Sequence, residues 1–268
     1  MTSLDTGAAP ATVLDLHGVP LTVRQFGDGP PLLFLHGLDG PTPGAAFLSL
    51  LASHFRLIVP THPGFSGTPV PDAIDRIDDL AYLYLELLDA LRLDGVMLAG
   101  ASLGGWIAAE LAVKCNHRLA GLVLVDSVGI KPGDRETRDI PDMFAMSLAT
   151  FAELTHHDQS RLPDFSAMSD EALGEISQNR EAAALYLWEP YMHDPKLLGR
   201  LHRAGVPTLL LRGESDRFVS ATYTDAFRAA IPNARLITIP HAGHSPHLEQ
   251  PAAFAGHVLS FAAHVLNR

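Results

Sequence analysis

The 268-residue sequence has a single cysteine, few basic side chains and no long apolar run. One thiol, Cys115, can form neither an intrachain disulfide nor a thiolate metal site, and its apolar surroundings predict a buried or half-buried structural side chain. The 19 Lys and Arg residues stand against 30 Asp and Glu, which gives a formal net charge of −11. Because phosphate-backbone binding needs a basic stripe, we expect no nucleic-acid partner.

Signals for export and for the membrane are also missing. No apolar run approaches the roughly 18 residues that a membrane-spanning helix needs, so we expect no membrane partner. The N-terminus has no basic segment followed by an apolar one, as a signal peptide would, which predicts a cytoplasmic protein. We expect the small, polar first dozen residues to be frayed. With 47% hydrophobic residues, the rest of the chain has ample material for a globular core.

Apolar runs that alternate with helical segments dominate the remaining sequence. Short apolar runs predict strands at 11–18, 21–27, 32–37, 55–60, 96–100, 119–126, 207–213 and 234–240. Periodic apolar positions predict helices at 44–53, 72–91, 170–187, 221–230 and 250–267, with another directly after Gly100. This alternation predicts an α/β fold whose central sheet is mostly parallel and covered by helices on both faces.

The alternation fails between residue 131 and about residue 205. That stretch opens with a polar loop and continues with helical patches, without a convincing strand. Because it follows one sheet strand and precedes another, we interpret it as an inserted helical lid. The predicted organisation is a core made of residues 1–130 and 206–268, with a cap at 131–205.

A candidate nucleophile lies at the turn between the fifth predicted strand and the helix that follows it. Residues 100–104 read Gly-Ala-Ser-Leu-Gly, and small residues on both sides of Ser102 let strand and helix approach closely. A serine at so tight a turn projects its hydroxyl from the sheet edge, beside the free N–H groups of a helix N-terminus. The alternative is that Ser102 only caps the helix.

A serine nucleophile needs a base, and the base needs a group that orients it. Asp216 and His244 each follow a predicted strand, and the carboxyl ends of parallel strands share one edge of a sheet, so both could reach Ser102. Asp126 also ends a strand and could orient the base instead of Asp216. His241 is expected to be solvated or structural.

The second histidine beside His244, His247, is expected to be solvated or structural in the same way. With His244 and Glu249 it loosely resembles a metal-ligand spacing, but the residues do not form a helical His-Glu-x-x-His motif, so we expect no metal.

Two backbone N–H groups are candidates for stabilising an oxyanion. The strand at 32–37 ends in His36-Gly37, and the loop that follows should lie opposite the serine turn. We expect the N–H groups of Leu38 and Leu103 to form an oxyanion hole. We assign His36 no proton transfer and expect it to be a structural hydrogen-bonding residue.

In this order along nearly the whole chain, the segments LLFLHG, PTHPGFSGT, GASLGG, RGESDRF and AGHSPHLEQP resemble the α/β-hydrolase superfamily. The resemblance implies Ser102 as nucleophile, His244 as base, Asp216 as acid, and a helical cap over the pocket. Haloalkane dehalogenases and epoxide hydrolases carry aspartate at the elbow, so the serine argues against those branches. The layout is similar to meta-cleavage product hydrolases, which usually have tryptophan where this chain has Ser245.

These observations predict a carboxylesterase-like serine hydrolase, without cofactor or metal, that acts on a small to medium, mainly apolar ester. Phe144, Trp188 and Tyr191 are candidate substrate-binding residues, although aromatic side chains of a small lid also serve its own packing. A carbon–carbon bond hydrolase, a lactonase or a thioesterase with the same triad is the alternative, and a receptor-like binding protein is a further one. We expect a monomer or a homodimer.

Overall fold

A computed structural model describes residues 10–267, apart from the side chain of Arg161. The expected fraying of the N-terminus therefore falls mostly outside the described residues. The strands are β1 (Thr12–Leu16), β2 (Val19–Phe26), β3 (Pro31–Leu35), β4 (Arg56–Pro60), β5 (Val96–Ala101), β6 (Leu119–Val125), β7 (Thr208–Gly213) and β8 (Ala234–Ile239). They form one sheet in the order β1-β2-β4-β3-β5-β6-β7-β8.

The sheet is parallel from β4 to β8, and β1 and β2 extend it as antiparallel strands at one edge. The helices are α1 (Ala46–Ala52), α2 (Ile77–Ala90), α3 (Leu103–Lys114), α4 (Leu148–Thr155), α5 (Asp170–Leu187), α6 (Leu197–Arg200), α7 (Ala221–Ala230), α8 (Pro246–Glu249) and α9 (Pro251–Leu266). This arrangement confirms the predicted α/β architecture with a mostly parallel sheet.

Successive residues of the central strands face opposite apolar layers, because side chains alternate across a sheet. On β3, Leu33 and Leu35 pack in the layer that contains α2 and α3, whereas Leu32 and Phe34 pack in the layer that contains α1 and α9. Strands buried on both faces read as continuous apolar runs, and this is the pattern that predicted them.

Two helices begin at least two residues later than the sequence pattern predicts, for local reasons. Helix α2 begins at Ile77 rather than at residue 72, because the Asp79 carboxylate accepts the N–H groups of Asp75 and Arg76 at 3.1 and 3.0 Å and so caps the helix. Helix α1 begins at Ala46 rather than at residue 44, because Gly44 has a φ of 89°, which a right-handed helix does not accommodate.

The segment between β6 and β7 contains α4, α5 and α6 and, among its described residues, no strand. Ala183 and Leu187 of α5 join the apolar layer of α2 and α3. Residues 197–203 pack against α3 and α7. Cys115, at the end of α3, is half-buried, as expected. No helix found between residues 10 and 267 has both the length and the apolar character to cross a bilayer.

His247, on α8, is a buried imidazole inside an aromatic cluster. Its ring centroid lies 5.7 Å from that of Phe34, 5.0 Å from that of Phe47 and 5.8 Å from that of Phe254. Its Nδ1 atom is buried without a hydrogen-bond partner. Burial, together with the nearby His244, lowers the pKa of His247 to about 3, so the ring is neutral in the folded protein.

Replacing His247 by leucine tests this burial through the pH dependence of stability. Its folded pKa of about 3 lies below the ordinary value of 6.5, so between these pH values only the unfolded chain takes up the proton. The free energy of unfolding therefore falls by up to about 1.4 kcal/mol per pH unit as the pH drops below 6.5. We expect His247→Leu to remove this component, so that the variant resists acid better than wild type in urea unfolding.

At about pH 8 the His247 imidazole is neutral in both the folded and the unfolded chain, so the stabilities of wild type and His247→Leu can be compared there without any effect of protonation. There the two proteins should differ by less than about 1.5 kcal/mol, because leucine has a similar volume and no hydrogen bond of Nδ1 is lost. Stability curves that stay parallel down to about pH 5 would contradict the neutral, buried state of His247.

Candidate active site

Ser102 lies at the sharp turn between β5 and α3, with a φ of 50° and a ψ of −112°. Such a left-handed conformation is costly for a residue with a side chain and persists only where the surroundings fix it. Here the Ser102 N–H donates to the Val125 carbonyl at 2.8 Å, and the Ser102 carbonyl accepts the N–H of Trp106 at 3.1 Å. The strained geometry that the Gly-Ala-Ser-Leu-Gly sequence predicts is therefore present.

Glycines on both sides of Ser102 allow this turn. A Cβ atom on Gly104 would lie 2.1 Å from the Leu35 carbonyl oxygen, and one on Gly100 would lie 2.2 Å from the Gly104 carbonyl oxygen. Neither contact is possible, so both positions require glycine. The N-terminus of α3 is thereby held against the ends of β3 and β5.

A continuous chain of hydrogen bonds joins Ser102, His244 and Asp216, the three candidate residues that each follow a strand. His244 Nε2 lies 2.9 Å from Ser102 Oγ, and His244 Nδ1 lies 2.8 Å from Asp216 Oδ2. Asp216 follows β7 and His244 follows β8, so the shared carboxyl edge of the sheet brings them to Ser102. All three side chains are buried.

The Asp216 carboxylate is held in its ionised form. Burial alone would raise its pKa, but the interaction with His244 and the N–H of Val219 outweigh burial and keep the pKa of Asp216 below its usual value. Its Oδ1 accepts the N–H groups of Phe218 and Val219 at 2.8 and 2.9 Å. Because an ionised carboxylate only accepts, His244 Nδ1 carries the proton and Nε2 is free to accept the Ser102 hydroxyl.

Asp126, the alternative orienting acid, points elsewhere. Its Oδ2 accepts the N–H of Gly213 at 2.9 Å, and the bond to His244 Nδ1 is made by Asp216. Burial, and then the charge of Asp216, raise the pKa of Asp126 well above its usual range. Asp126 is therefore not the acid that binds His244 Nδ1.

The two N–H groups considered for an oxyanion hole lie at the start of α3 and in the loop that follows β3. Leu103 is the first residue of α3, where a helix has no internal acceptor for its N–H. The Gly37–Leu38 turn passes beside the serine, since a Cβ on Gly37 would lie 3.3 Å from Ser102 Cβ. Within residues 10–267, neither Leu38 nor Leu103 donates its N–H to a backbone carbonyl.

A pair of histidines whose rings are in contact fixes the loop that carries Leu38. The rings of His36 and His62 lie 3.8 Å apart between centroids. His36 Nε2 accepts the His62 N–H at 2.9 Å, so His36 Nδ1 donates to the Gly37 carbonyl at 2.8 Å. Burial lowers the pKa of His36 to about 4 and that of His62 well below its usual value. His36 is thus a neutral structural residue.

The three aromatic residues considered for substrate binding form a cluster of their own. Phe144 packs edge-on against Trp188 and Tyr191, with centroid distances of 5.8 and 6.2 Å. The Tyr191 hydroxyl donates to the Pro141 carbonyl at 2.6 Å, and Trp188 is 59% exposed. Among the contacts found for these three rings, none involves Ser102, His244 or Asp216.

Different aromatic rings lie beside His244. The Phe218 ring meets the His244 ring edge-on at 5.1 Å, and Phe151 of α4 meets Phe218 at 5.2 Å. The sequence analysis named no role for Phe218, and the only signal was its position two residues after Asp216. Phe151 was one of many apolar residues in the helical segment.

The end of α4 is hydrogen-bonded to the loop that carries His244. The Thr155 carbonyl accepts the His244 N–H at 2.6 Å. Glu249 accepts the N–H groups of Gly243 and His157 at 2.7 and 2.9 Å, one with each oxygen. The sequence analysis weighed Glu249 only as a metal ligand, and the structure instead gives it this bridging role.

No metal centre is evident in the part of the chain that the structure describes: no group of three or more His, Cys, Asp or Glu side chains there could hold an ion. Of the residues weighed for such a site, His247 packs among phenylalanines and Glu249 binds backbone N–H groups. His241, the remaining histidine of this loop, is exposed.

Comparisons with known proteins agree with this geometry. A model described as the alpha/beta hydrolase family matches residues 32–257. The 2-hydroxy-6-oxo-6-(2'-aminophenyl)hexa-2,4-dienoic acid hydrolase of Metapseudomonas resinovorans is 26% identical, over 91% of this chain and 88% of the relative. The pimeloyl-[acyl-carrier protein] methyl ester esterase of Nitrosomonas europaea is 28% identical, over 87% of this chain and 95% of the relative.

The crystal structure of an esterase from Rhodococcus sp. ECU1013 has the same fold, with a TM-score of 0.74 at 21% identity, and the match covers 96% of this chain and 99% of that one. The family model spans most of the chain, including Ser102, Asp216 and His244. The relatives named above act on different compounds, but both are hydrolases by name. The chain belongs to the α/β-hydrolase family and is a hydrolase.

Proposed function

We propose that this protein is a serine hydrolase that cleaves a small to medium, mainly apolar carboxylic ester through an acyl-enzyme. The observation that carries the proposal is the hydrogen-bonded chain from Ser102 Oγ through the His244 ring to Asp216, with distances of 2.9 and 2.8 Å. A nucleophile, a base and an orienting acid in this order are the arrangement that acyl transfer requires.

In the first step, Ser102 Oγ attacks the ester carbonyl carbon while His244 Nε2 takes the hydroxyl proton. The carbonyl oxygen becomes an oxyanion, which the N–H groups of Leu38 and Leu103 stabilise. The intermediate collapses, the ester C–O bond breaks, and the leaving alkoxide takes the proton from Nε2. Asp216 keeps the ring oriented and stabilises the imidazolium while it exists.

In the second step, a water molecule replaces the alcohol. His244 Nε2 removes a proton from the water as its oxygen attacks the acyl carbon, and the same two N–H groups stabilise the second oxyanion. The bond to Ser102 Oγ then breaks, Ser102 regains the proton from Nε2, and the carboxylic acid leaves. The cycle needs no group beyond substrate, water and the residues named.

The apolar substrate preference follows from what surrounds His244. We assign the helical segment 131–205 as a cap, with Phe151 and Phe218 as the apolar wall of the pocket, since Phe218 contacts the His244 ring and Phe151 contacts Phe218. The relative from Nitrosomonas europaea is named as a methyl ester esterase, which supports an ester as the substrate.

A carbon–carbon bond hydrolase is the second candidate, because the relative from Metapseudomonas resinovorans is named as a hydrolase of a dienoic acid. A lactonase or a thioesterase would use the same three residues. Competition between ester, thioester, lactone and vinylogous diketone substrates separates these activities. A binding protein without turnover is disfavoured, because the Ser102–His244–Asp216 chain is intact.

The central experiment is hydrolysis of p-nitrophenyl esters, from acetate to octanoate, by wild type and by Ser102→Ala. We expect wild type to hydrolyse the series with a preferred chain length, and Ser102→Ala to lose about 10⁴-fold or more in kcat, because no acyl-enzyme forms. Ser102→Ala keeps the fold, which circular dichroism checks. Activity that persists in this variant would overturn the proposal.

The pocket wall is tested by comparing Phe151→Ala with Trp188→Ala. Phe151 packs on the ring that faces His244, so its removal should enlarge the pocket and move the preferred ester towards longer chains. Trp188 is 59% exposed, so its removal should leave the profile where it is. The measurement is kcat/KM for each ester of the series, and a shift for Trp188→Ala without one for Phe151→Ala would contradict this assignment.

A further inference from the structure

One buried ionisable group beside the site has no part in the mechanism above. Asp126 follows β6, and both it and Asp216 bind Gly213: Asp126 Oδ2 accepts the Gly213 N–H at 2.9 Å, and the Gly213 carbonyl accepts the Asp216 N–H at 3.2 Å. We propose that Asp126 is a positioning residue, a protonated acid that donates a hydrogen bond to Asp216, so that the two carboxyl groups hold one negative charge between them. This inference rests on the proposed function, because it concerns how Asp216 orients His244.

The hydrogen bonds around the pair leave one place for the proton. Asp216 accepts from His244 Nδ1, Phe218 N and Val219 N, whereas Asp126 accepts only from Gly213 N. The other oxygen of Asp126, Oδ1, is buried and has no donor. The carboxyl with fewer donors is the more basic of the two, so it holds the proton.

The charges that face Asp126 support the same assignment. Two adjacent carboxylates in a buried space repel each other strongly, and one of them stays protonated. The nearby cation, Arg212, donates to the carbonyls of Gly213 and Asp216, both at 2.7 Å, and so folds the acid loop instead of pairing with a carboxylate. Burial and the charge of Asp216 raise the pKa of Asp126 by more than the Gly213 N–H and the charge of Arg212 lower it.

As a result, Asp126 helps to hold the catalytic acid, Asp216, in place. The O–H of Asp126 stabilises the charge of Asp216 and fixes the rotation of its carboxylate, on which the orientation of His244 depends. Without this donor, the Asp216 carboxylate would lose one of the contacts that fix its orientation, and the His244 ring would be held less firmly. The backbone at Asp126 is left-handed, with a φ of 41°, a conformation that aspartate, asparagine and glycine adopt most readily.

The protonation state is measured directly by infrared difference spectroscopy at about pH 7.5. Wild type minus Asp126→Asn should show the C=O stretch of a protonated carboxylic acid. A difference spectrum that contains only carboxylate bands would overturn the proposal. This readout does not require turnover, so its failure is distinct from failure of the proposed function, which shows in the ester assay with Ser102→Ala.

The positioning role is measured by kinetics of Asp126→Asn and Asp126→Gly over a pH range. The amide of asparagine can accept from Gly213 and donate to Asp216, as a protonated Asp126 does, so this variant should keep kcat within about threefold and retain the acidic limb of kcat/KM. Glycine removes the donor without adding backbone strain, so kcat should fall about tenfold with little change in KM.

The pH profiles separate the two states of Asp126. A protonated Asp126 carries no charge, so Asp126→Asn should leave the acidic limb of kcat/KM at the same pH. If Asp126 were ionised, Asp126→Asn would remove a negative charge near His244 and move that limb to lower pH, which would overturn the proposal. Should Asp126→Gly fail to fold, the infrared spectrum and the profile of Asp126→Asn decide the question.

Discussion

The site depends on one close approach, in which α3 begins directly against the ends of β3 and β5. Because a side chain on Gly104 would collide with the Leu35 carbonyl, the helix can start here only where glycine stands. This contact forces Ser102 into its left-handed conformation and ties its N–H to Val125. It also leaves the Leu103 N–H at a helix start, where no internal acceptor is available.

The sequence predicted the parts of this arrangement that depend on local pattern. Apolar runs located the central strands to within a few residues, since strands buried on both faces leave a continuous signal. The sequence also brought Ser102, Asp216 and His244 together, because each follows such a run and strand ends share one edge of a parallel sheet. The start of α2 was missed, because a carboxylate cap at Asp79 competes with the apolar periodicity.

The rest depended on contacts between distant parts of the chain. Nothing in the sequence distinguishes Phe151, which packs on Phe218, from Trp188, which is exposed, because both are aromatic residues of one helical segment. The direction of the Asp126 carboxyl was equally hidden, since it ends a strand just as a triad acid does. Only packing shows that its oxygen turns to Gly213, in the neighbouring strand, rather than to His244.

Helix α4 links the helical segment 131–205 directly to the loop that carries His244. Phe151 and Thr155 lie one turn apart on this helix, the first against Phe218 and the second against the backbone of His244. Glu249 binds residues on both sides of the same junction, at Gly243 and His157. A shift of α4 would therefore move Phe151 and the backbone of His244 together. In the proposed mechanism, a substrate that contacts Phe151 would then also set the position of His244 relative to Ser102.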